Sequence, residues 1–141
     1  MFRMKKNNDF IISEFHCQRD SLTIRGTEYR PMQAETGMKL PVAVVCHGFM
    51  AFQDTVRQYT RALAEAGYVV YCFDFCGGSV IKGKSDGRTT DMSVLTEVRD
   101  LEAVMDFVQS SRIMTHQNFC SWAAARGASF RLSLRRNTQT V

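Results

Sequence analysis

A serine between two glycines, Gly83-Lys84-Ser85-Asp86-Gly87, has the Gly-x-Ser-x-Gly form of a nucleophile elbow. Asp100 or Asp106, followed by His116, supplies a carboxylate and an imidazole in the chain order Ser, Asp, His. Such a set could perform acyl transfer, with serine as nucleophile, histidine as base and the carboxylate orienting the histidine. The surroundings of Ser85 argue against it. An elbow needs a strand before the serine and an apolar helix directly after it. Ser85 instead lies in a polar loop that runs on into Arg88-Thr89-Thr90-Asp91.

The other chemistry-bearing residues have equally plain readings when taken singly. Cys72 and Cys76 flank Asp74 at the end of an apolar run, but the sequence shows no histidine or cationic neighbour to lower a thiol pKa, so they read as structural. Gly77-Gly78-Ser79 completes neither the dinucleotide pattern nor the P-loop with its lysine, which excludes a phosphate cradle. His16 reads as an ordinary strand residue. Five cysteines (Cys17, Cys46, Cys72, Cys76, Cys120) lack zinc-type spacing, and no metal or organic cofactor is expected. His47-Gly48-Phe49 closes the apolar run PVAVVCHGF, and its glycine permits a close approach of the backbone to a ligand.

The HGF end of that run, CFDFCGGS at 72–79, KSDG at 84–87 and MSVLTEVRDLEAVMDFV at 92–108 follow one another in an order that resembles the front half of an α/β hydrolase. The similarity covers roughly 15–110 and is to serine esterases and acyl-peptidases, of serine aminopeptidase-like and cinnamoyl-esterase-like type. It implies an α/β fold: the N-terminal part of the α/β-hydrolase fold, an incomplete, mostly parallel sheet with flanking helices. It implies that His47-Gly48-Phe49 forms the oxyanion-hole loop. There the Phe49 N–H faces the carbonyl oxygen that becomes negative, Gly48 allows the approach, and His47 supports the loop by hydrogen bonding rather than acting as base. The SDG of such enzymes is a non-catalytic loop, which agrees with the reading of Ser85.

The elements that must position this loop follow from periodicity. Residues 15–31 read as a hairpin, with Leu22 and Ile24 alternating with polar neighbours and Arg19-Asp20 at the turn. Residues 32–40 read as a loop. Val42 to Cys46 and Val69 to Phe73 are continuous apolar runs, as expected of strands covered on both faces. Between them Val56, Tyr59 and Leu63 share a helical face that Gly67 terminates, making a β-α-β unit. Val94, Val98, Leu101, Met105 and Val108 form the apolar stripe of a second helix. Asp91 or Ser93 can cap it, and Glu97, Arg99, Asp100, Glu102 and Asp106 lie off the stripe.

The net charge of +4 dissolves when it is divided along the chain. Residues 112–141 hold five arginines and no acid, whereas residues 1–111 carry 13 basic and 14 acidic groups. The body is nearly neutral, so a nucleic-acid partner is not expected. No apolar run approaches the length of a membrane span and MFRMKKNNDFII lacks an apolar signal core, so neither a membrane partner nor export is expected. With an odd set of cysteines, the expectation is free thiols in the cytoplasm.

Beyond Ser111 the pattern fails where the next buried strand and the elbow should stand. Joining the third base of each codon to the first two of the next recovers it. Met114-Thr115 then forces aspartate, Phe119-Cys120 leucine and Trp122-Ala123 glycine. Ala124-Ala125 permits serine as one of four outcomes, and Arg126-Gly127 and Gly127-Ala128 permit two glycines. The shifted frame therefore allows a leucine-rich strand followed by Gly-x-Ser-x-Gly-Gly, the nucleophile elbow. The expectation is a domain organisation of 1–111 as the N-terminal part of an α/β-hydrolase domain and 112–141 as an out-of-frame, Arg-rich tail. One nucleotide would have been lost, or two gained, near codon 111.

On this reading the parent activity is hydrolysis of a small-molecule carboxylic ester or amide through an acyl-enzyme. No catalytic residue is identifiable in the displayed frame, the acid and base would lie farther downstream, and this chain is predicted inactive. The alternative is a non-enzymatic binding or regulatory fragment whose tail uses Arg131, Arg135 and Arg136, as an amphipathic helix, on RNA or an acidic partner.

Overall fold

The computed structural model describes residues 10–36, 40–47, 56–78, 85–110, 119–123 and 133–135. Strands β1 (Phe10–Arg19), β2 (Leu22–Pro31), β3 (Val42–Cys46), β4 (Val69–Phe73), β5 (Phe119–Ala123) and β6 (Ser133–Arg135) form one sheet in the order β1-β2-β4-β3-β5-β6. Its centre, β4-β3-β5, is parallel, and antiparallel pairings flank it on both sides. The sheet is thus mixed. Helices α1 (Arg57–Glu65) and α2 (Val94–Ser110) cover its two faces.

Every residue of β3 and β4 is buried, which is why both are apolar without alternation. Alternation persists in where the side chains go. Val69, Tyr71 and Phe73 join the core under α2, while Val70 and Cys72 join the core under α1. Phe15 ties β1 into the α2 face by stacking on Phe107, centroids 5.4 Å apart, and meeting Tyr71 edge-on, also at 5.4 Å.

The hairpin begins at Phe10, five residues earlier than its alternation shows, because Ile11 and Ile12 are both exposed and break the period. Its turn is Asp20-Ser21 rather than Arg19-Asp20. Asp20 takes the positive φ of 53° that a tight hairpin needs at its first central position. Residues Met32–Thr36 form a 3-10 helix inside the expected loop, too short to leave a periodic signature.

Helix α1 ends as Gly67 requires. At φ 100° its N–H reaches Ala64 O at 3.1 Å, and Tyr68 N–H reaches Leu63 O at 3.0 Å, the paired bonds of a Schellman motif. Of the residues on its expected face, Val56 is buried and Leu63 packs against the core, but Tyr59 does not. Thr60 and Ala64 are buried, whereas Tyr59 is 43% exposed. Small residues let the helix approach the sheet, and Thr60 hides its hydroxyl by donating to Val56 O at 3.1 Å.

Ser93, not Asp91, caps α2. Its Oγ accepts from Thr96 N–H at 3.3 Å while its own N–H donates to Thr96 Oγ1 at 2.8 Å, a capping box with threonine in the glutamate position. The helix is rotated relative to its apolar stripe. Val94 and Val98 are exposed, and Glu97, Asp100, Val104 and Val108 form the buried face. Two acids off the apolar stripe thus lie inside, and Asp100 is received there by Arg19 Nε and Cys76 N–H.

In the tail, Arg135 belongs to a strand hydrogen-bonded to β5, not to an amphipathic helix. Arg131 and Arg136 lie outside the described residues.

Candidate active site

β3 and β4 run parallel and end together, at Cys46 and Phe73, so the residues that follow share one edge of the sheet. This is where open α/β sheets bind ligands. His47 stands immediately beyond β3, 1% exposed, and its Nε2 accepts the Phe75 N–H at 2.9 Å. A backbone N–H can only donate, so Nε2 carries no proton and the neutral ring holds its hydrogen on Nδ1. The ring also meets the Phe75 ring edge-on, centroids 4.9 Å apart. Gly48 and Phe49, the remainder of the expected oxyanion loop, lie outside the described residues.

The turn after β4 is held amide by amide. Asp74 N–H donates to Arg25 O at 3.1 Å, Phe75 N–H to His47 Nε2, and Cys76 N–H to Asp100 Oδ2 at 2.8 Å. Gly77 N–H then donates to Asp86 O at 3.1 Å and Gly78 N–H to Phe75 O at 3.0 Å. Five successive donors thus find acceptors on β2, beyond β3, on α2, in the Ser85 loop and within the turn itself. A turn so enclosed could not leave these groups unpaired without a cost of about 1–3 kcal/mol each. Gly77 meets the steric demand as well. It sits at φ 73°, and a β-carbon there would collide with the Arg88 carbonyl.

Asp100 is fully buried and accepts from Arg19 Nε as well as from Cys76 N–H. Burial raises its pKa despite these donors, and burial followed by the charge of Asp100 raises that of Glu97. Cys76 does have a cationic neighbour, Arg19, which the sequence did not show. The thiol is nevertheless pushed up to about 12, by burial first and then by Asp100, and Cys17 to about 11 for the same two reasons. Neither is an activated nucleophile. The cavity of about 400 Å³ lined by Arg19, Leu22, Cys76, Gly87, Arg88 and Asp91 therefore contains no reactive thiol.

Ser85 is a pin. Its Oγ donates to Asp74 O at 2.5 Å and accepts from Arg25 N–H at 2.8 Å. Asp86 beside it continues the edge of β2 past the reach of β4, exchanging bonds with Thr23 and taking Arg25 Nη1 at 2.7 Å on Oδ1. No hydrogen bond connects Ser85 with Asp100, which serves Arg19 and Cys76, or with Asp106, which is exposed; His116 lies outside the described residues. Asp100 as the brace of the turn was missed in the sequence, where an acid at a helical position carries no sign of a partner 81 residues away. Among the described residues there is no group of three metal-ligating side chains, and no helix is long and apolar enough to cross a membrane.

A parallel centre in the order β4-β3-β5, α1 and α2 on opposite faces, and a histidine braced at the end of β3 define a partial α/β-hydrolase fold. Solved structures share it. A dienelactone hydrolase from Anabaena variabilis superposes with a TM-score of 0.65 at 12% identity, covering 82% of this chain and 52% of that one. Est1E from Butyrivibrio proteoclasticus, solved with ferulic acid bound, gives 0.64 at 20% identity over 76% of this chain and 41% of that one. The α/β hydrolase GrgF from Penicillium gives 0.67 at 18% identity over 80% and 37%. This chain therefore spans between about a third and a half of their length. No curated protein matches it in sequence. The model of the dienelactone hydrolase family matches residues 24–122, and the chain belongs to that family.

Proposed function

We propose that this chain is the front part of a hydrolase that cleaves carboxylic esters or amides of small molecules through an acyl-enzyme, and that in the displayed frame it is inactive. His47-Gly48-Phe49 is the oxyanion loop, with Phe49 N–H as donor and His47 as its brace. The nucleophile is the residue encoded across codons 124 and 125 in the shifted frame. That junction allows Ser, Cys, Arg or Gly, of which only the first two are nucleophiles, and serine completes the elbow pattern. Acyl transfer by this route requires no metal or organic cofactor.

The observation that carries this reading is the register of β5. Ala123, the last residue of β5, pairs with Cys46, the last residue of β3, which immediately precedes His47. Neighbouring strands lie about 4.8 Å apart, and this common register of the strand ends supports the reading that a nucleophile encoded after β5 and a backbone donor after β3 serve one reacting carbonyl. In the displayed frame codons 124 and 125 encode two alanines, and alanine has no nucleophilic group. The boundary near residue 111, with 112–141 out of frame, is supported by the arginine-rich, acid-free composition of that segment. Its location in the cytoplasm is supported by four buried free thiols among the described residues.

The test is to resequence the gene from the codon for Met105 to beyond the stop, on independent template. Recovery of the missing base, with the frame running through Gly-x-Ser-x-Gly to a downstream aspartate and histidine, supports the reading. The restored protein should then hydrolyse a short acyl p-nitrophenyl ester, with feruloyl esters next in the panel. A confirmed displayed frame, with turnover abolished by Ser85→Ala, would overturn it.

The second reading, a binding fragment that uses its basic tail, rests on the five arginines of 112–141. It predicts salt-sensitive RNA or DNA binding that is lost on deleting those residues.

A further inference from the structure

We infer that Asp100, braced by Arg19, is a positioning residue for His47, acting through the Phe75–Cys76 peptide. Its relevance to an oxyanion loop rests on the hydrolase reading above; the coupling itself does not.

The Phe75 and Cys76 N–H groups sit on successive peptide planes, hinged only by the φ and ψ of Phe75. Neither has a strand partner, since the β3–β4 pairing ends at Phe73. One plane is fixed by a carboxylate on α2 and the other by the imidazole beyond β3. Release of the first lets Phe75 rotate, and the donor that orients His47 Nε2 rotates with it. The Phe75 ring carries the same motion, because it contacts the His47 ring at 4.9 Å and the Phe73 ring at 5.0 Å. All the groups involved are shielded: Asp100 and His47 are 0% and 1% exposed, and the Arg19 side chain 11%. Bulk water therefore has little access to replace a lost partner, and the energetic coupling between such bonds is strong.

Asp100→Asn tests this sharply. Both partners of the carboxylate, Arg19 Nε and Cys76 N–H, are donors, whereas an asparagine amide offers one acceptor and one donor. The bond lost is either that of Cys76 N–H itself or that of Arg19 Nε, whose brace holds the side chain on Cys76, with almost no change in shape. The chain has three histidines, so long-range ¹H–¹⁵N spectra of the ring nitrogens resolve His47, and amide hydrogen exchange reads Phe75 and Cys76. In the 141-residue protein, Asp100→Asn should accelerate exchange at both amides about tenfold, the equivalent of one lost hydrogen bond. The His47 ring signals should move away from the pure Nδ1–H pattern, and amides in α1 should be unaffected.

Should that variant fail to fold, Arg19→Lys keeps the carboxylate on Cys76 and the positive charge but loses the Nε bond. Without the Nε brace the carboxylate holds the Cys76 plane less firmly, so the His47 signals should shift in the same direction by a smaller amount. Faster exchange at Cys76 alone in Asp100→Asn, or unchanged His47 signals in Arg19→Lys, makes Asp100 a local cap and overturns the inference. None of these readouts needs turnover, so failure of the hydrolase reading leaves the coupling to be scored separately.

Discussion

Asp86 and Thr23 clasp each other twice: Thr23 N–H donates to Asp86 Oδ2 at 3.1 Å and Asp86 N–H donates to Thr23 O at 2.9 Å. The pairing extends β2 where β4 has ended, and so encloses the turn that follows β4.

The Arg25 hydrogen bond, and after it the Thr23 backbone bond, hold the Asp86 carboxyl below its ordinary pKa. A depressed folded-state pKa makes the contribution fully present above the unfolded value, near roughly pH 4, and removes it as pH falls through the folded value. Asp86→Asn should therefore lower Tm at pH 7 and narrow its deficit against the parent below pH 4. Thermal melts across pH 2 to 7 would show this; parallel curves for the two proteins would mean that Asp86 contributes nothing through its charge.

Asp100→Ala leaves Arg19 inside without its carboxylate, a change that costs about 3–5 kcal/mol. Replacing both together, Arg19→Met with Asp100→Leu, should cost less than Asp100→Ala alone, because no unpaired charge remains. Urea denaturation of the two variants decides; additive losses would remove the case for a coupled pair.

His47→Phe keeps a buried ring but deprives the Phe75 N–H of its acceptor. The expected loss is about 1–3 kcal/mol, measured by urea denaturation. A fully stable His47→Phe protein would mean that the imidazole nitrogen is dispensable to the turn.

The four described thiols are buried, and Cys76 and Cys17 are raised to about 12 and about 11. At pH 8 almost none of either is thiolate, so iodoacetamide should label them only after urea is added. Mass-spectrometric mapping that finds Cys76 alkylated rapidly in the native protein contradicts the packing described for it.

What was legible in the sequence was whatever a local pattern encodes. Val42 to Cys46 and Val69 to Phe73 are found to the residue, since strands covered on both faces leave no polar position to confuse the pattern. Gly67 marks the end of α1 because only a residue free to take positive φ makes that cap. Of the apolar stripe of α2, Leu101, Met105 and Val108 pack on the core, whereas Val94 and Val98 are exposed. Asp100 counts as polar in any periodicity, and it is buried only because Arg19 and Cys76 donate to it from 81 and 24 residues away. Tyr59 differs in the opposite sense: it is apolar enough to count toward a core face, yet it is exposed and its neighbour Thr60 is buried.

By itself the sequence determined the apolar strands, the end of α1 at Gly67, the His-Gly-Phe that follows β3, and the break in pattern after Ser111. All of these are written in the spacing of neighbouring residues. Only the tertiary structure decided that Asp100 braces the turn after β4, that His47 carries its proton on Nδ1, and that Ser85 is a pin. The reason is that a polar group's role depends on which remote partner desolvates and pairs it. No local periodicity records that partner; it exists only once β1, β3, β4 and α2 have packed together.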